Sequence, residues 1–265
     1  MEISMKLNAL TLLAGLALVA CGGETDETTN TGTTGTTGTT VTTTDADGDG
    51  ISNTEEKELG LDMNNADTDG DGISDPDEIA QGSDAANKFS WPDRVWPDNR
   101  PAAEADGLTF TTYGYDEVFP NLSGNDYFGN NFELWQLYGS IILVDFSAGW
   151  CGPCNDVAAD AQDFWNERRD EGFVIFHAMS DGWGYPSDAD TTFITEWSDT
   201  FGLGFPVVGE GDVGTVSSAL YNAGLNEGYI PYFILLNSDM TIDSQYIGGG
   251  QDAAIGARVD ELMNK

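Results

Sequence analysis

One stretch of the sequence joins a strand pattern to a helix pattern. Residues 141–146 form an apolar, β-branched run whose length and composition predict a strand buried on both faces. After a short turn, apolar side chains recur every three or four residues, which predicts a helix with Gly172 as its C-terminal stop. The apolar positions of this helix are Val157, Ala158, Ala161, Phe164 and Trp165.

The C-terminal half of the chain alternates between strand patterns and helix patterns. An apolar segment at 132–138 leads into the buried strand. Further strands are predicted at 109–113, 173–179, 232–237 and 241–247, a short apolar segment at 206–208, and helices at 192–201, 216–223 and 253–262. This alternation, closed by an antiparallel hairpin, predicts a three-layer α/β sandwich.

The N-terminus has the pattern of an export signal. A basic residue precedes an apolar run over residues 7–20, which is too short to span a membrane comfortably. Residues 18–21, Leu-Val-Ala-Cys, resemble the bacterial lipobox, which implies that residues 1–20 are removed and that Cys21 is diacylated. The glycine that follows favours the outer membrane. The alternatives are an ordinary signal peptide with a chance cysteine and a short membrane span.

Two segments connect the parts of the chain. Residues 21–44 are rich in Thr and Gly and have too few apolar side chains for a core, which predicts a disordered tether. Residues 91–105 contain two Trp-Pro pairs, and this connector is expected to pack against the domain that follows it.

A repeat of 22 residues occupies residues 45–84. Each copy has Asp at loop positions 1, 3 and 5, Gly at 6 and Glu at 12, which is the pattern of a Ca²⁺ loop. Ca²⁺ takes six to eight oxygens, and the glycine permits the sharp turn that gathers them. The candidate ligands are Asp45, Asp47, Asp49, the carbonyl of Ile51, Asn53 and Glu56 in the first copy, and Asp67, Asp69, Asp71, the carbonyl of Ile73, Asp75 and Glu78 in the second.

The repeat lacks the long flanking helices of an EF-hand, since only residues 54–59 have the pattern of a short helical turn. It resembles the calcium-binding thrombospondin type 3 repeats of bacterial envelope proteins. The resemblance implies one structural Ca²⁺ ion per loop and a role for residues 45–90 in stiffening a stalk. The alternative is a disordered acidic linker, but residues 45–84 hold 14 acids and one Lys, which would repel strongly without a cation.

The chain is acidic throughout. It contains 46 acidic and nine basic residues, which gives a net charge of −37 at pH 7. Residues 101–265 alone hold 26 acids and four bases, so the charge is not confined to the repeats. Such a chain repels nucleic acid and anionic headgroups, and neither is expected as a partner.

The turn after the buried strand contains Trp150, Cys151 and Cys154 in the order Trp-Cys-Gly-Pro-Cys. The first cysteine is expected at a helix N-terminus, where unpaired N–H groups favour a thiolate. The second lies one turn further on, close enough to attack a mixed disulfide. A zinc site needs four ligands, and only His177 remains as another N or S ligand once Cys21 is lipidated. A purely structural disulfide across so short a loop would add little entropic stabilisation.

This stretch resembles the active site of thioredoxin. Asp145 lies six residues before Cys151, as in that family, and Pro231 ends a Gly-Tyr-Ile-Pro segment that resembles the family's cis-Pro loop. An Ile-Gly pair at 247–248 resembles the Val-Gly of its last strand. The likeness covers residues 106–265 and is greatest for the envelope-anchored TlpA-like branch. It implies an α/β/α sandwich with a mixed central sheet, preceded by the tether and the calcium repeats.

The resemblance also implies roles for the site residues. Cys151 and Cys154 form the redox-active pair, with the first as nucleophile and the second releasing the substrate. Asp145 accepts the proton of the second cysteine, Pro231 positions substrate backbone, and Trp150 precedes the nucleophile. No organic cofactor is expected.

Together these features predict a lipid-anchored thiol–disulfide oxidoreductase of the bacterial cell envelope. It would reduce disulfides of exported proteins, with electrons from a membrane donor because that compartment is oxidising. Copper chaperones of the related type use a longer cysteine spacing, and peroxiredoxins have Thr at the position of Ala148, so neither function is favoured. The alternative is a surface-displayed interaction protein that uses the fold for binding without redox turnover.

The chain departs from the thioredoxin pattern in three places. Tyr232 follows the proline where thioredoxin has Thr, and residues 147–149 replace its Trp-Ala-Glu, so the substrate is left open. His177 falls near the position of the Lys that neighbours the buried Asp in thioredoxin, and simple core packing is an equal interpretation.

Overall fold

A computed structural model describes residues 44–182, 184, 188–210 and 229–265. All of these residues belong to one compact unit, Thr43–Lys265. The predicted export signal, nearly all of the tether and the helix predicted at 216–223 lie outside the described residues. Within the described ranges, no helix combines the length and the apolar content needed to cross a membrane.

The described strands form one mixed sheet. In chain order they are β1 (Ser123–Asn125), β2 (Asn131–Glu133), β3 (Ile141–Ala148), β4 (Phe173–Asp181), β5 (Val207–Glu210), β6 (Tyr232–Leu236) and β7 (Ile242–Ile247). Their spatial order is β2-β1-β5-β4-β3-β6-β7. The three central strands β5, β4 and β3 are parallel, and the flanking strands pair with them antiparallel. This is the thioredoxin-like mixed sheet that the sequence predicted.

Three of the six helices in the described ranges begin at a Ser or Asp side chain that caps the first turn. The six helices are α1 (Asn53–Leu59), α2 (Asp75–Gln81), α3 (Arg100–Ala105), α4 (Gly152–Asn166), α5 (Thr191–Phe201) and α6 (Asp252–Met263). The side chains of Ser52, Ser74 and Asp190 accept hydrogen bonds from the first-turn N–H groups of α1, α2 and α5. Caps of this kind satisfy backbone donors that have no partner within the helix.

Strand β3 is the centre of the core because each of its residues is buried. Alternate side chains point to opposite faces of the sheet. Leu143 and its neighbours at odd positions pack with residues of α4, α5 and α6. Val144 and the even positions pack with segments from before β3, including a 3₁₀-helix at Leu134–Leu137. Full burial of a Val, Leu, Ile or Phe side chain is worth roughly 1.5–3 kcal/mol. The burial of β3 therefore stabilises the strand that carries the CxxC turn.

The strongest sequence patterns gave correct elements. Strands β3, β4, β6 and β7 and helices α5 and α6 lie within two residues of the predicted ranges. The short apolar segment at 206–208 forms β5. These elements draw on long apolar runs or on regular spacing, which local sequence specifies well.

The apolar segment at 132–138 leads into β3, and it is divided between the end of β2 and the 3₁₀-helix. Two other local predictions are wrong. Residues 109–113 form no strand, and their aromatic side chains pack instead, Phe110 on Tyr113 and Tyr113 on Phe119. Gly172 does not end α4, which stops at Asn166, because a separate 3₁₀-helix at Arg169–Glu171 comes between them and uses that glycine as its cap.

The second repeat is also more ordered than its sequence indicated. A short helical turn was expected only in the first copy, yet α2 forms in the second with Ser74 as its N-cap. Pro76 lies in its first turn, where a missing N–H costs nothing. Each repeat therefore contains a loop and a two-turn helix.

Candidate active site and cation loops

The two cysteines lie at the junction of β3 and α4. Cys151 is the N-cap of α4, and its Sγ accepts a hydrogen bond from the N–H of Cys154 at 3.2 Å. The two sulfurs are joined in a disulfide. Cys154 is fully buried and Cys151 nearly so. In the reduced protein, the free N–H groups and the positive end of the helix dipole at this cap would favour a thiolate on Cys151.

The loop before β6 faces the first cysteine. Its Ile230–Pro231 peptide bond is cis, as the sequence predicted. The carbonyl oxygen of Ile230 lies 3.8 Å from Cys151 Sγ, and the carbonyl of Pro231 accepts the N–H of Gly248 at 2.8 Å. Gly249 lies against Pro153 of the CxxC turn. The predicted proline loop and the Ile-Gly segment thus meet at the disulfide.

Large apolar side chains remain accessible around this disulfide. Trp150 is 45% exposed, Tyr229 63% and Ile247 50%. They belong to the CxxC turn, the proline loop and the end of β7, the three segments that the geometry brings together. The site is therefore a nearly buried disulfide within an exposed apolar rim.

Asp145 lies in β3 on the face that carries α4 and α6. It is 2% exposed, and one carboxylate oxygen accepts a hydrogen bond from Ser147 Oγ at 2.8 Å. His177 is paired with it across β3 and β4, with Nε2 at 3.6 Å from the other oxygen. Burial raises the pKa of Asp145, against the opposing effects of His177 and Ser147. Burial likewise lowers the pKa of His177, so the neutral forms of both groups are favoured.

His177 satisfies both interpretations of its position. Its ring packs edge-on to Trp197 and parallel to Phe205, so it is a core residue. It also neighbours the buried carboxyl. Ser147 was not recognised as a partner of Asp145, although the two-residue period of a strand places both on one face.

A cavity of about 140 Å³ opens beside Asp145. It lies between the sheet and helices α4 and α6. Its lining residues include Val157, Asp160, Ala161, Asp252 and Ile255. The cavity is large enough for a few water molecules, and the buried carboxyl supplies one polar wall.

The two acidic loops have closely similar hydrogen bonds. In the second loop, Asp67 accepts the N–H groups of Gly70 and Gly72 at 2.8 and 3.0 Å, and Asp71 accepts that of Ile73 at 2.8 Å. The first loop repeats these contacts at the equivalent positions. In both loops, one oxygen from each of the Asp residues at positions 1, 3 and 5 lies within 4.8 Å of the other two.

Buried carboxylate oxygens without a partner provide a second observation on these loops. Glu56 and Glu78, at position 12, are fully buried, and both oxygens of the first and Oε2 of the second have no hydrogen-bond partner among the described residues. Asp71 is 2% exposed and its Oδ2 is equally unpartnered. Burial raises the pKa of Glu78 to about 8. Several buried acids with free oxygens around three Asp residues fit a divalent cation.

The other candidate ligands are arranged less symmetrically. Asn53 Oδ1 is buried without a partner, as a ligand atom would be. The equivalent Asp75 already accepts hydrogen bonds from the N–H and the hydroxyl of Thr68, both at 2.8 Å. The carboxylate of Asp75 therefore holds the backbone of the second loop at Thr68. We expect it to contact an ion through a water molecule, as residues at loop position 9 often do.

Comparison with known families identifies the acidic segment. Residues 45–60 and 67–85 match the family model described as the bacterial TSP3 repeat. This agrees with the two repeats read from the sequence and with the acidic clusters in the structure. A comparison with curated proteins finds no match.

Solved structures similar to this chain include a thioredoxin-family thiol:disulfide interchange protein from Chlorobium tepidum, with 19% identity over 57% of this chain and 98% of that one and a TM-score of 0.47. The thioredoxin domain of a thiol-disulfide oxidoreductase from Bacteroides vulgatus has 20% identity over 57% of this chain and 99% of its own, with a TM-score of 0.47. A secreted disulfide oxidoreductase from Mycobacterium tuberculosis has 17% identity over 54% of this chain and 96% of its own, with a TM-score of 0.43.

The sheet order, the CxxC pair at the N-terminus of α4 and the cis-proline loop are all present in the described structure. The chain thus carries two segments of the bacterial TSP3 repeat type, followed by a domain with the thioredoxin-like fold.

Proposed function

We propose that the protein is a thiol–disulfide oxidoreductase that reduces the disulfides of exported proteins. The observation that carries this proposal is the Cys151–Cys154 disulfide at the N-terminus of α4, facing the carbonyl of Ile230. The testing experiment is reduction of insulin with dithiothreitol as electron source. Turnover that is lost in both cysteine variants supports the proposal, and no turnover by the wild type would favour a binding module instead.

The reaction uses the two sulfurs in sequence. The Cys151 thiolate attacks one sulfur of a substrate disulfide, and the other substrate sulfur leaves as a thiolate. Cys154 then loses its proton and attacks Cys151 Sγ, which releases the second substrate thiolate and forms the disulfide seen in the structure. The substrate gains two electrons and the dithiol loses them. A dithiol donor at the membrane restores the reduced pair.

Asp145 is assigned the proton of Cys154. Ala148, three residues after Asp145 in β3, packs with both cysteines, so the carboxyl lies on the strand that leads directly into the dithiol turn. A carboxyl whose pKa is raised by burial is a stronger base than an exposed one. Ser147 orients it, and the adjoining cavity has room for water beside the carboxyl. The exposed rim of Trp150, Tyr229 and Ile247 would contact the substrate around its disulfide.

The anchor and the location extend the same proposal. The lipobox-like residues before Cys21 support a diacylated N-terminus, and more than one acyl chain is what stable anchoring requires. The protein would then lie on a bacterial envelope membrane, with the outer membrane favoured, joined to its anchor by the Thr- and Gly-rich residues 22–44.

The acidic loops are assigned two structural Ca²⁺ ions. Their ligand atoms are all oxygens, which Ca²⁺ prefers, and no group at the loops is suited to chemistry. The ligands would be the Asp residues at positions 1, 3 and 5, the position-7 carbonyls, and the buried Glu at position 12.

The first prediction separates the roles of the cysteines. Cys154→Ser should accumulate mixed disulfides with client proteins, because the nucleophile remains and the resolving thiol is gone. Cys151→Ser should trap none. Non-reducing gels of acid-quenched cells expressing each variant provide the measurement. Equal trapping by both variants, or by neither, would contradict the assignment.

The second prediction concerns proton transfer. Asp145→Asn keeps the shape of the side chain and removes the base, so formation of the mixed disulfide should change little. Its decay should slow by roughly tenfold to a hundredfold. Stopped-flow kinetics resolve the two steps, with Asp163→Asn on the exposed face of α4 as the control. Decay at the wild-type rate between about pH 6 and 8 would reduce Asp145 to a packing residue.

The third prediction uses the raised pKa of Asp145. The folded state holds the proton of this carboxyl to higher pH than the unfolded state, whose pKa is about 3.9. The contribution of this carboxyl to the free energy of unfolding is therefore lost as pH rises from about 4 through the raised pKa. Asp145→Asn has no such contribution to lose, so its stability relative to the wild type should increase with pH. Urea denaturation at successive pH values measures it, and a constant difference would mean that the pKa is not raised.

The fourth prediction concerns the cation loops. Isothermal titration of the full chain should show two Ca²⁺ ions per molecule, and Asp47→Ala and Asp69→Ala should each remove one. These variants replace the position-3 ligand of the first and second loop. If millimolar Ca²⁺ produces no heat, the loops are not calcium sites.

A further inference from the structure

The second acidic loop is built into the redox domain, and the first is not. We propose that an ion in the second loop, residues 67–78, stabilises the thioredoxin-like domain, whereas an ion in the first loop, residues 45–56, stabilises only its own repeat. This inference rests on the proposed calcium binding. It gives the second loop the function of a structural metal site of the redox domain.

The first observation is the position-7 residue of each loop. In a calcium loop this residue offers its backbone carbonyl to the ion, so its side chain is free to contact other parts of the protein. Ile73 is 7% exposed and belongs to the core cluster that contains Trp91, Phe119 and Val144. Its counterpart Ile51 is only partly buried and is absent from that cluster. A single residue thus links the second ion site to the core under β3.

The backbone of the second loop makes another link. The carbonyl of Asp71 accepts the N–H of Asp98 at 3.3 Å. The carboxylate of Asp98 accepts two hydrogen bonds from Arg100, at 2.6 and 2.7 Å, and Arg100 also donates to Glu133 of β2 at 2.9 Å. These ion pairs are partly exposed, so they contribute geometry more than energy. They fix the loop relative to the edge of the sheet.

The chain between the loop and the sheet is held at several points. Asn87 donates to the carbonyl of Asp170 at 3.0 Å, and Arg169 pairs with Asp93 at 2.6 Å. Trp91 is 1% exposed, and its carbonyl accepts a hydrogen bond from the same arginine. The segment that joins the second loop to the sheet is therefore fixed to the domain by these hydrogen bonds and this ion pair. A movement of the loop relative to the domain would disturb them.

The contacts of Asn87, Phe89 and Arg169 lie at the end of the sheet remote from the dithiol, and Glu133 lies on the outermost strand β2, four strands away from β3. Phe89 packs against Gly172, which immediately precedes the first residue of β4, and that residue pairs with the first residue of β3. Cys151 follows the other end of β3, an eight-residue strand of about 25 Å. The ion would thus act on the stability of the domain and not on the chemistry of the sulfurs.

Without a cation, the carboxylates of the second loop repel one another because the fold holds them close together. Asp71 and Glu78 are buried with unpartnered oxygens, and the fold places them near Asp67 and Asp69. A bound divalent ion satisfies these oxygens and removes the repulsion, which keeps Ile73 and Asp71 in their contacts with the domain. Any ligand that binds only the folded state raises its stability in proportion to the logarithm of its concentration over Kd.

The experiment measures thermal unfolding of the full chain in chelator and in Ca²⁺ at about 100 times Kd. Near-ultraviolet circular dichroism reports the tryptophans of the redox domain. In the wild type, Ca²⁺ should raise the Tm of this signal by about 5–10 °C. Asp47→Ala should keep the rise and Asp69→Ala should lose it. Titration calorimetry of the same samples counts the bound ions.

A second matched pair leaves every ligand side chain in place. Ile73→Ala should still bind two ions but show less than half of the wild-type rise in Tm, whereas Ile51→Ala should show all of it. Hydrogen exchange at β3 amides, in Ca²⁺ against chelator, gives an independent readout. Protection of these amides by Ca²⁺ should be present in Ile51→Ala and diminished in Ile73→Ala.

The outcomes separate this inference from the calcium proposal beneath it. Two bound ions with no change in Tm or in exchange would overturn the coupling and leave the calcium sites standing. An absence of binding heat would overturn both. A rise in Tm that is lost in Asp47→Ala and kept in Asp69→Ala would assign the coupling to the first loop and contradict the structure.

Discussion

The burial of β3 on both faces is the constraint on which the rest of the structure depends. Eight consecutive buried residues keep the strand away from bulk water, so each polar group in it needs a partner inside the protein. The backbone groups find theirs in β4 and β6. The single ionisable side chain, Asp145, finds Ser147 and His177. Because the strand cannot shift, the turn that follows it fixes Cys151 at the helix cap, opposite the proline loop.

Sequence predicted this part of the molecule because its determinants are local. An apolar run specifies β3, a regular spacing specifies α4, and the CxxC turn lies between them. The cis-proline loop required the family resemblance, since nothing near Pro231 dictates that it faces Cys151. The partnership of Ser147 with Asp145 was within reach, because two residues apart on one strand means the same face. The sequence does not reveal that the Ser147 hydroxyl is turned toward the carboxyl.

The N-terminal part was harder to predict because its contacts are distant in sequence. Trp91 and Phe89 pack at the edge of a domain that begins many residues later, and Arg94 donates to the carbonyl of Leu203. No local pattern reports such pairs. The repeats indicated a stalk by their similarity to each other, yet the copies have different surroundings. Ile51 and Ile73 occupy the same loop position, but only Ile73 reaches the core.

The protein holds buried carboxyl groups in two different ways, and the difference follows from their number. A lone buried acid such as Asp145 can remain neutral, because one proton and one hydroxyl partner satisfy it. The loops concentrate several acids, and their mutual repulsion adds to the cost of burial, as the raised pKa of Asp69, about 6, shows. Protonating all of them would remove the charge but would leave oxygens without donors. A divalent cation satisfies several oxygens at once. The number of acids in the loops therefore supports the proposal that a cation is part of their folded structure.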